Sequence, residues 1–282
     1  MRPTIDTDPP EVLKYWINER TKVQVRKALD MPKPWSEDPI MQVTYFTNVH
    51  RQDDPTTRVI QEWAQRPDDT NAKVLFRLMF ARLVNFSPVF QELSPEASID
   101  GWIKVLRYRK ATKKKVFGSA YIVSTCGKKI EKISYIEKLL QEWWRQLEHD
   151  GEHLIPIADC WRMQQYLLEF RGLSNFMTGQ IVADFKHCRK TVLSEANDFY
   201  TFVTPGPGSK RGLAWYYGYG EFAKVTDRMF PTMIEGVHAD LKLPSNFEMQ
   251  DLQNCLCEYD KYMRILHGVG RSKRTYPGNV AK

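Results

Sequence analysis

The segment Thr201-Phe202-Val203-Thr204-Pro205-Gly206-Pro207-Gly208-Ser209-Lys210-Arg211-Gly212-Leu213 concentrates the residue types that hold an anion. Glycines and prolines make a rigid loop with exposed amides, a helix opens at about Ser209, and Arg211 offers a fork of donors. It is not a Walker loop, because GxxxxGK[ST] is absent from the chain. A plain structural turn is the alternative. A second phosphate-binding candidate lies upstream, in Leu167-Leu168-Glu169-Phe170-Arg171-Gly172-Leu173-Ser174-Asn175-Phe176-Met177-Thr178-Gly179. One helix ends at Gly172, a hairpin follows, and an apolar helix starts with the small residues Thr178 and Gly179 facing the previous one. Its free N–H groups can hold a DNA phosphate. Helix–glycine turn–helix is also an ordinary packing device.

Charge supports a polyanionic partner. The chain carries 41 Lys+Arg against 34 Asp+Glu, a formal net of +7 over 282 residues. Between Gly101 and Ile130 there is no acid, but Lys104, Arg107, Arg109, Lys110, Lys113, Lys114, Lys115, Lys128 and Lys129 are present. Trp102, Tyr108, Phe117 and Tyr121 are interleaved with them, the pattern of a nucleic-acid face or of a solvated loop. The tail from Arg264 repeats it with Arg271, Lys273, Arg274 and Lys282.

The elements that position these residues are helical. Asp8-Pro9 reads as the start of a helix running to about Asp30, and Pro32, Pro34 and Pro39 then impose an extended linker. Helical spacing recurs over 55–65, 70–86, 98–108, 131–150, 158–170, 176–190, 211–228, 231–240 and 247–266. Val116–Thr125 is the one tempting strand, and it reads equally as helix. The expectation is an all-α chain, with residues 1–39 an N-terminal extension and linker and 40–282 one domain ending in a basic tail. No window approaches the ~18 apolar residues of a membrane helix, and the start lacks the layout of a secretory signal. The five cysteines follow no disulfide framework, so a soluble protein of a reducing compartment is expected. The histidines show no ligand spacing, so no catalytic metal and no cofactor are expected. Cys255-x-Cys257 reads as core packing.

Four ordered segments carry a family resemblance: Phe46-x-Asn48-x-x-Arg51-x-x-Asp54-x-x-Thr57, the helix with Phe76-Arg77, Arg82 and Asn85, the loop Gly206–Leu213, and Leu256-Cys257-Glu258-Tyr259-Asp260-Lys261-Tyr262. Together they resemble the α-glutamyl/putrescinyl-thymine pyrophosphorylase-like proteins. These are phage amino acid:DNA transferases with a helix-hairpin-helix, DNA glycosylase-like fold. The resemblance implies a step in phage thymine hypermodification. After a 5-hydroxymethyluracil DNA kinase has acted, the amine of a free amino acid displaces (pyro)phosphate from 5-(pyro)phosphomethyluracil in double-stranded DNA. It also implies a monomer working in the host cytoplasm.

That chemistry needs a flipped base, cations for the leaving group, and a carboxylate to deprotonate the amine. On this basis Asp54, Glu258, Asp260 and Arg51 are the catalytic candidates. Asn48, Arg58, Gly206, Gly208, Ser209, Lys210 and Arg211 are candidates for binding the base and phosphate. Gly172, Ser174, Asn175, Lys113, Lys114 and Lys115 are candidates for the DNA backbone. Each has a simpler alternative. Asp54 is a good N-cap, Glu258 and Lys261 are spaced as a helix ion pair, and Arg77 and Arg82 flank a core stripe. Two other functions compete: a helix-hairpin-helix glycosylase, and a DNA-binding module without catalysis. In such a glycosylase a Lys stands where this chain has Phe176, and the catalytic Asp position is filled by the Pro-Gly loop, with Asp198 out of register.

Overall fold

The computed structural model describes residues 2–118, 129–151, 156–219, 224–270 and 275–276. Among these the regular structure is helical, with one isolated antiparallel bridge between Thr44 and Thr275. The all-α expectation holds. Beyond Gly118 the tempting strand lies outside the described residues, as do Tyr121, Cys126, Lys128, Arg271, Lys273, Arg274 and Lys282.

The chain forms two compact units. One comprises residues 1–54 with 203–282, the other residues 55–202. The first holds α1 (Pro9–Ala28), α2 (Pro39–Val43) and a 3₁₀ turn (Arg51–Asp53). The returning chain adds α10 (Pro207–Tyr216), α11 (Phe230–Asp240) and α12 (Met249–Leu266). The second unit holds α3 (Pro55–Ala64), α4 (Asn71–Val84), α5 (Ser87–Phe90), α6 (Ile99–Ala111), α7 (Lys132–Asp150), α8 (Cys160–Leu168) and α9 (Asn175–Phe185).

In the first unit, α1 and α10 pack on α12 around Val12, Leu13, Trp16, Phe46, Leu213, Leu256, Tyr259 and Tyr262. The residues expected as an extension therefore furnish core side chains. Helix α1 begins at two prolines that need no N–H partner; Asp8 occupies the N-cap position but makes no side-chain cap bond. Helix α10 starts earlier than its spacing suggests, because Pro207 supplies the first turn, and Gly218 at φ +70° ends it. The proline-rich linker leads into α2, whose N-cap Asp38 accepts from Ile40 N–H at 2.8 Å.

In the second unit α4 is buried along its whole length from Val74 to Val84, which makes it the central helix. Phe80 stacks on Trp102 at 4.7 Å, and Trp63 and Phe76 close around that pair. Side-chain caps from Thr70, Ser98, Asp159 and Ser174 start α4, α6, α8 and α9. Helix α9 stops at Phe185 rather than continuing to 190, and Lys190 stands at φ +58°.

Candidate functional site

Helix α12 organises the first unit through two faces. Asp251, Asn254, Glu258 and Lys261 follow the spacing i, i+3, i+7, i+10 and form one stripe. Along it lies the backbone of residues 45–51. Asp251 accepts from Arg51 N–H at 2.8 Å and pairs with His50 Nδ1 at 2.8 Å. Asn254 donates to Asn48 O at 2.9 Å and accepts from Thr47 Oγ1. Glu258 Oε2 accepts from Thr47 N–H at 3.1 Å and from Lys261 Nζ at 2.6 Å, and Lys261 also donates to Tyr45 O. Residues 45–51, which span the start of the first resemblance segment, are thus fastened to α12 by four side chains, two of them (Glu258 and Lys261) from the last segment.

Helix α1 holds the same segment from its own side. Buried Arg20 donates through Nε to Thr47 O at 2.8 Å and Phe46 O at 3.3 Å, and through Nη2 to Asn48 Oδ1. Burial lowers the Arg20 pKa, while Tyr276, Tyr45 and Glu258 favour its charge. Asn48 then donates to Asp53 O at 2.7 Å, and Gln24 donates to Asp53 Oδ2 at 2.7 Å. The Asn48 amide therefore braces the turn. Asp54 ends that turn, its N–H donating to Arg51 O at 3.0 Å.

The other face of α12 meets α10. Asp260 is 1% exposed. Its Oδ2 receives Arg211 Nε at 3.0 Å and Nη2 at 2.9 Å, and its Oδ1 receives Trp215 Nε1 at 3.3 Å. Arg264 lies 3.4 Å from the same Oδ1. The Arg211 side chain remains 41% exposed. Glu258 and Asp260 are two residues apart, about 200° around a helix, so they serve different faces rather than one carboxylate pair.

The glycines of the loop act in this packing. A Cβ on Gly212 would run into the Leu256 carbonyl, and one on Gly208 into the Cys257 sulfur. Ser209 closes the first turn, accepting from Gly206 N–H at 3.0 Å and donating to Gly206 O, while Gln253 donates to it at 3.2 Å. Lys210 pairs with Asp227.

The remaining candidates belong to the second unit, where Arg58 is exposed on α3. The hairpin between α8 and α9 has the expected form: Gly172 sits at φ +89° against Leu139, and Ser174 accepts from Met177 N–H at 3.3 Å. Asn175 is exposed, with its Oδ1 accepting from Gln164 at 2.7 Å, and Arg171 of the hairpin pairs with Glu142. Asp198 caps α8, accepting from Cys160 and Trp161 N–H at 2.9 and 3.1 Å. Lys115 rests 4.8 Å over the Phe86 ring and Lys114 lies 3.9 Å from Glu92, while Lys113 adopts φ +57°. Much of the surrounding basic run is neutralised: Arg107 pairs with Glu137, Arg109 with Glu92 and Lys110 with Glu131.

None of the four described thiols sits where it would ionise readily. Burial pushes Cys160, Cys188 and Cys255 upward, and Cys257 to about 11. Among the described residues no group of three or more His, Cys, Asp or Glu could hold a metal ion. No helix among them is long and apolar enough to cross a membrane.

Residues 10–272 match the family model described as 5-hmdU DNA kinase, helical domain. The chain belongs to this family. The match covers all four segments quoted above and sets the chain in phage thymine hypermodification, on the 5-hydroxymethyldeoxyuridine side of that chemistry. The family that matches is named for the kinase, not for the pyrophosphorylase-like transferases. No curated protein and no solved structure gives a significant match. Within this helical-domain family the chain offers two residues that sequence spacing passed over, Arg20 and Asp251. For Arg20 there was a usable signal: it falls one turn after Trp16 on the apolar face of α1, where a cation needs partners. Asp251 carried none, because its partners lie 200 residues away.

Proposed function

We propose that this chain is an amino acid:DNA transferase of thymine hypermodification. Its amine substrate would attack the exocyclic CH₂ of 5-(pyro)phosphomethyldeoxyuridine in duplex DNA. The new N–C bond forms as the C–O bond breaks, the electron pair leaves with (pyro)phosphate, and the amine proton passes to a carboxylate.

The observation that carries this proposal is Arg211. Its guanidinium is oriented by buried Asp260 through Nε and Nη2, yet it stays 41% exposed. A pre-oriented cation open to solvent suits a departing phosphate. Asp260 then positions Arg211 and is not the base. Glu258 faces residues 45–47 on the opposite side of α12, where Oε2 takes Thr47 N–H and Lys261, so it holds that segment rather than facing Arg211.

The test is nucleoside mass spectrometry on DNA bearing 5-(pyro)phosphomethyluracil, incubated with the protein and mixed amino acids. A nucleoside heavier by one amino acid establishes the transferase and names the donor. The family description favours a second function, a helical module that carries DNA for a kinase. Unchanged nucleosides with intact DNA binding would select that module, and abasic sites would select a glycosylase.

A further inference from the structure

In the second unit a cavity of about 460 Å³ is lined by Glu62, Gln65, Arg66, Pro67, Arg189 and Lys190. Arg189 and Lys190 belong to a stretch without acids, from Phe185 to Ser194, that carries Lys186, Arg189 and Lys190. Lys186 is buried under Phe199, to whose carbonyl it donates. Arg189 and Lys190 are exposed, and neither they nor Arg66 form an ion pair with a carboxylate among the described residues. This is the reverse of the 101–115 run, whose arginines are largely paired.

The cavity is also built. Arg66 Nη1 donates to Gln65 O at 2.7 Å and Glu62 O at 3.1 Å, which covers the last carbonyls of α3. Gln65 Oε1 accepts from Arg189 N–H at 2.9 Å and pins the turn after α9 to the end of α3. The end of α3 supplies about half a negative charge and Glu62 one more, against three cations. The cavity stays positive. No aromatic ring lines it, so it has nothing on which to stack a base.

We infer that this cavity is a contact for the phosphate backbone of duplex DNA. It fixes the DNA on the second unit without reading sequence. The inference rests on the proposal that the protein works on DNA, and its test separates the two. A short fluorescent duplex is titrated with wild-type protein across a salt series. The same titration is made with Arg189→Gln/Lys190→Gln and with the control Arg107→Gln/Lys110→Gln, whose charges are already paired. Each lost phosphate contact makes the slope of log K against log[salt] less negative by about 0.9. The 189/190 variant is expected to lose about one to two such steps, on duplexes of any sequence, and the control none. Equal slopes for all three proteins, or equal losses in both variants, overturn the cavity while leaving DNA binding in place. Wild-type protein without salt-dependent binding overturns the cavity and the DNA substrate together.

Discussion

Buried Asp260 receives Arg211 through Nε and Nη2 at 3.0 and 2.9 Å, so one carboxylate sets the orientation of the most exposed cation on α10. Removing Arg211 should lower turnover by about 100-fold, the usual effect of losing one charge-stabilising donor. Asp260→Asn keeps the shape but slackens the pair, and should lower turnover by about tenfold, near 1.4 kcal/mol of barrier. The two losses should not add in the double variant, because Asp260 acts through Arg211. Single-turnover measurements on the four proteins check this, and additive losses would refute it.

Gly212 and Gly208 let α10 approach α12, and the two positions should respond differently to alanine. Gly212→Ala meets a backbone carbonyl and should cost about 1–3 kcal/mol. Gly208→Ala meets the Cys257 side chain, so Cys257→Ala should restore part of its loss. Thermal unfolding of the single and double variants is the measurement. A Gly212→Ala protein as stable as the parent would show that the helices need no such approach.

The His50–Asp251 pair gives a pH signature. The hydrogen bond to Asp251 raises the His50 pKa, against a smaller effect of burial, and Asp53 and Glu248 add to it. The folded pKa lies above the unfolded one, so this stabilisation is complete below about pH 6.5, the unfolded value. It is lost as pH rises through the folded pKa. Titration of the His50 ring by NMR should show this elevated pKa, reduced in Asp251→Asn. An ordinary histidine pKa in the parent would contradict the pair.

In the second unit Arg82 and Asp184 form a pair with both side chains at most 2% exposed, one bond measuring 2.7 Å, and Arg82 also reaches Thr57 and Asn85. Arg82→Ala leaves a buried carboxylate uncompensated and should destabilise by about 3–5 kcal/mol. Chemical denaturation would register it as a lower midpoint. An unchanged midpoint would mean that water reaches Asp184.

Thiol chemistry is expected to report unfolding rather than catalysis. With Cys160, Cys188 and Cys255 buried and their pKa values raised, alkylation of these three in native protein should be slow, and rapid in denaturant. Rapid native labelling of Cys255 would place a reactive thiol on α12 after all.

Most helices were legible in the sequence, because their determinants are local. Pro9 and Pro55 mark starts, and the apolar spacing of α4, α7 and α12 marks buried faces. Errors fell at helix ends. Gly218 at positive φ lies just past the end of α10, and α9 gives way to turns from Lys186; the apolar pattern extends both helices too far. The hairpin was legible for the same local reason, since Gly172 is placed where the turn requires positive φ.

The candidate site was legible only as residue types. Composition and spacing singled out Asn48, Arg51, Arg211, Glu258 and Asp260, yet not their partners. Burial obliges each polar group to find one, and the one it finds depends on which helices pack. Arg20 meets residues 46–48, Asp251 meets residues 50 and 51, and the two carboxylates of α12 turn to opposite neighbours. Charge followed the same rule. The acid-free run after Gly101 looked like the dominant cationic surface, but Glu92, Glu131 and Glu137, outside the run, pair with Arg109, Lys110 and Arg107 in space. Local propensity and periodicity determined the helices; long-range packing, through the cost of leaving a buried charge alone, decided which charges remained available for function.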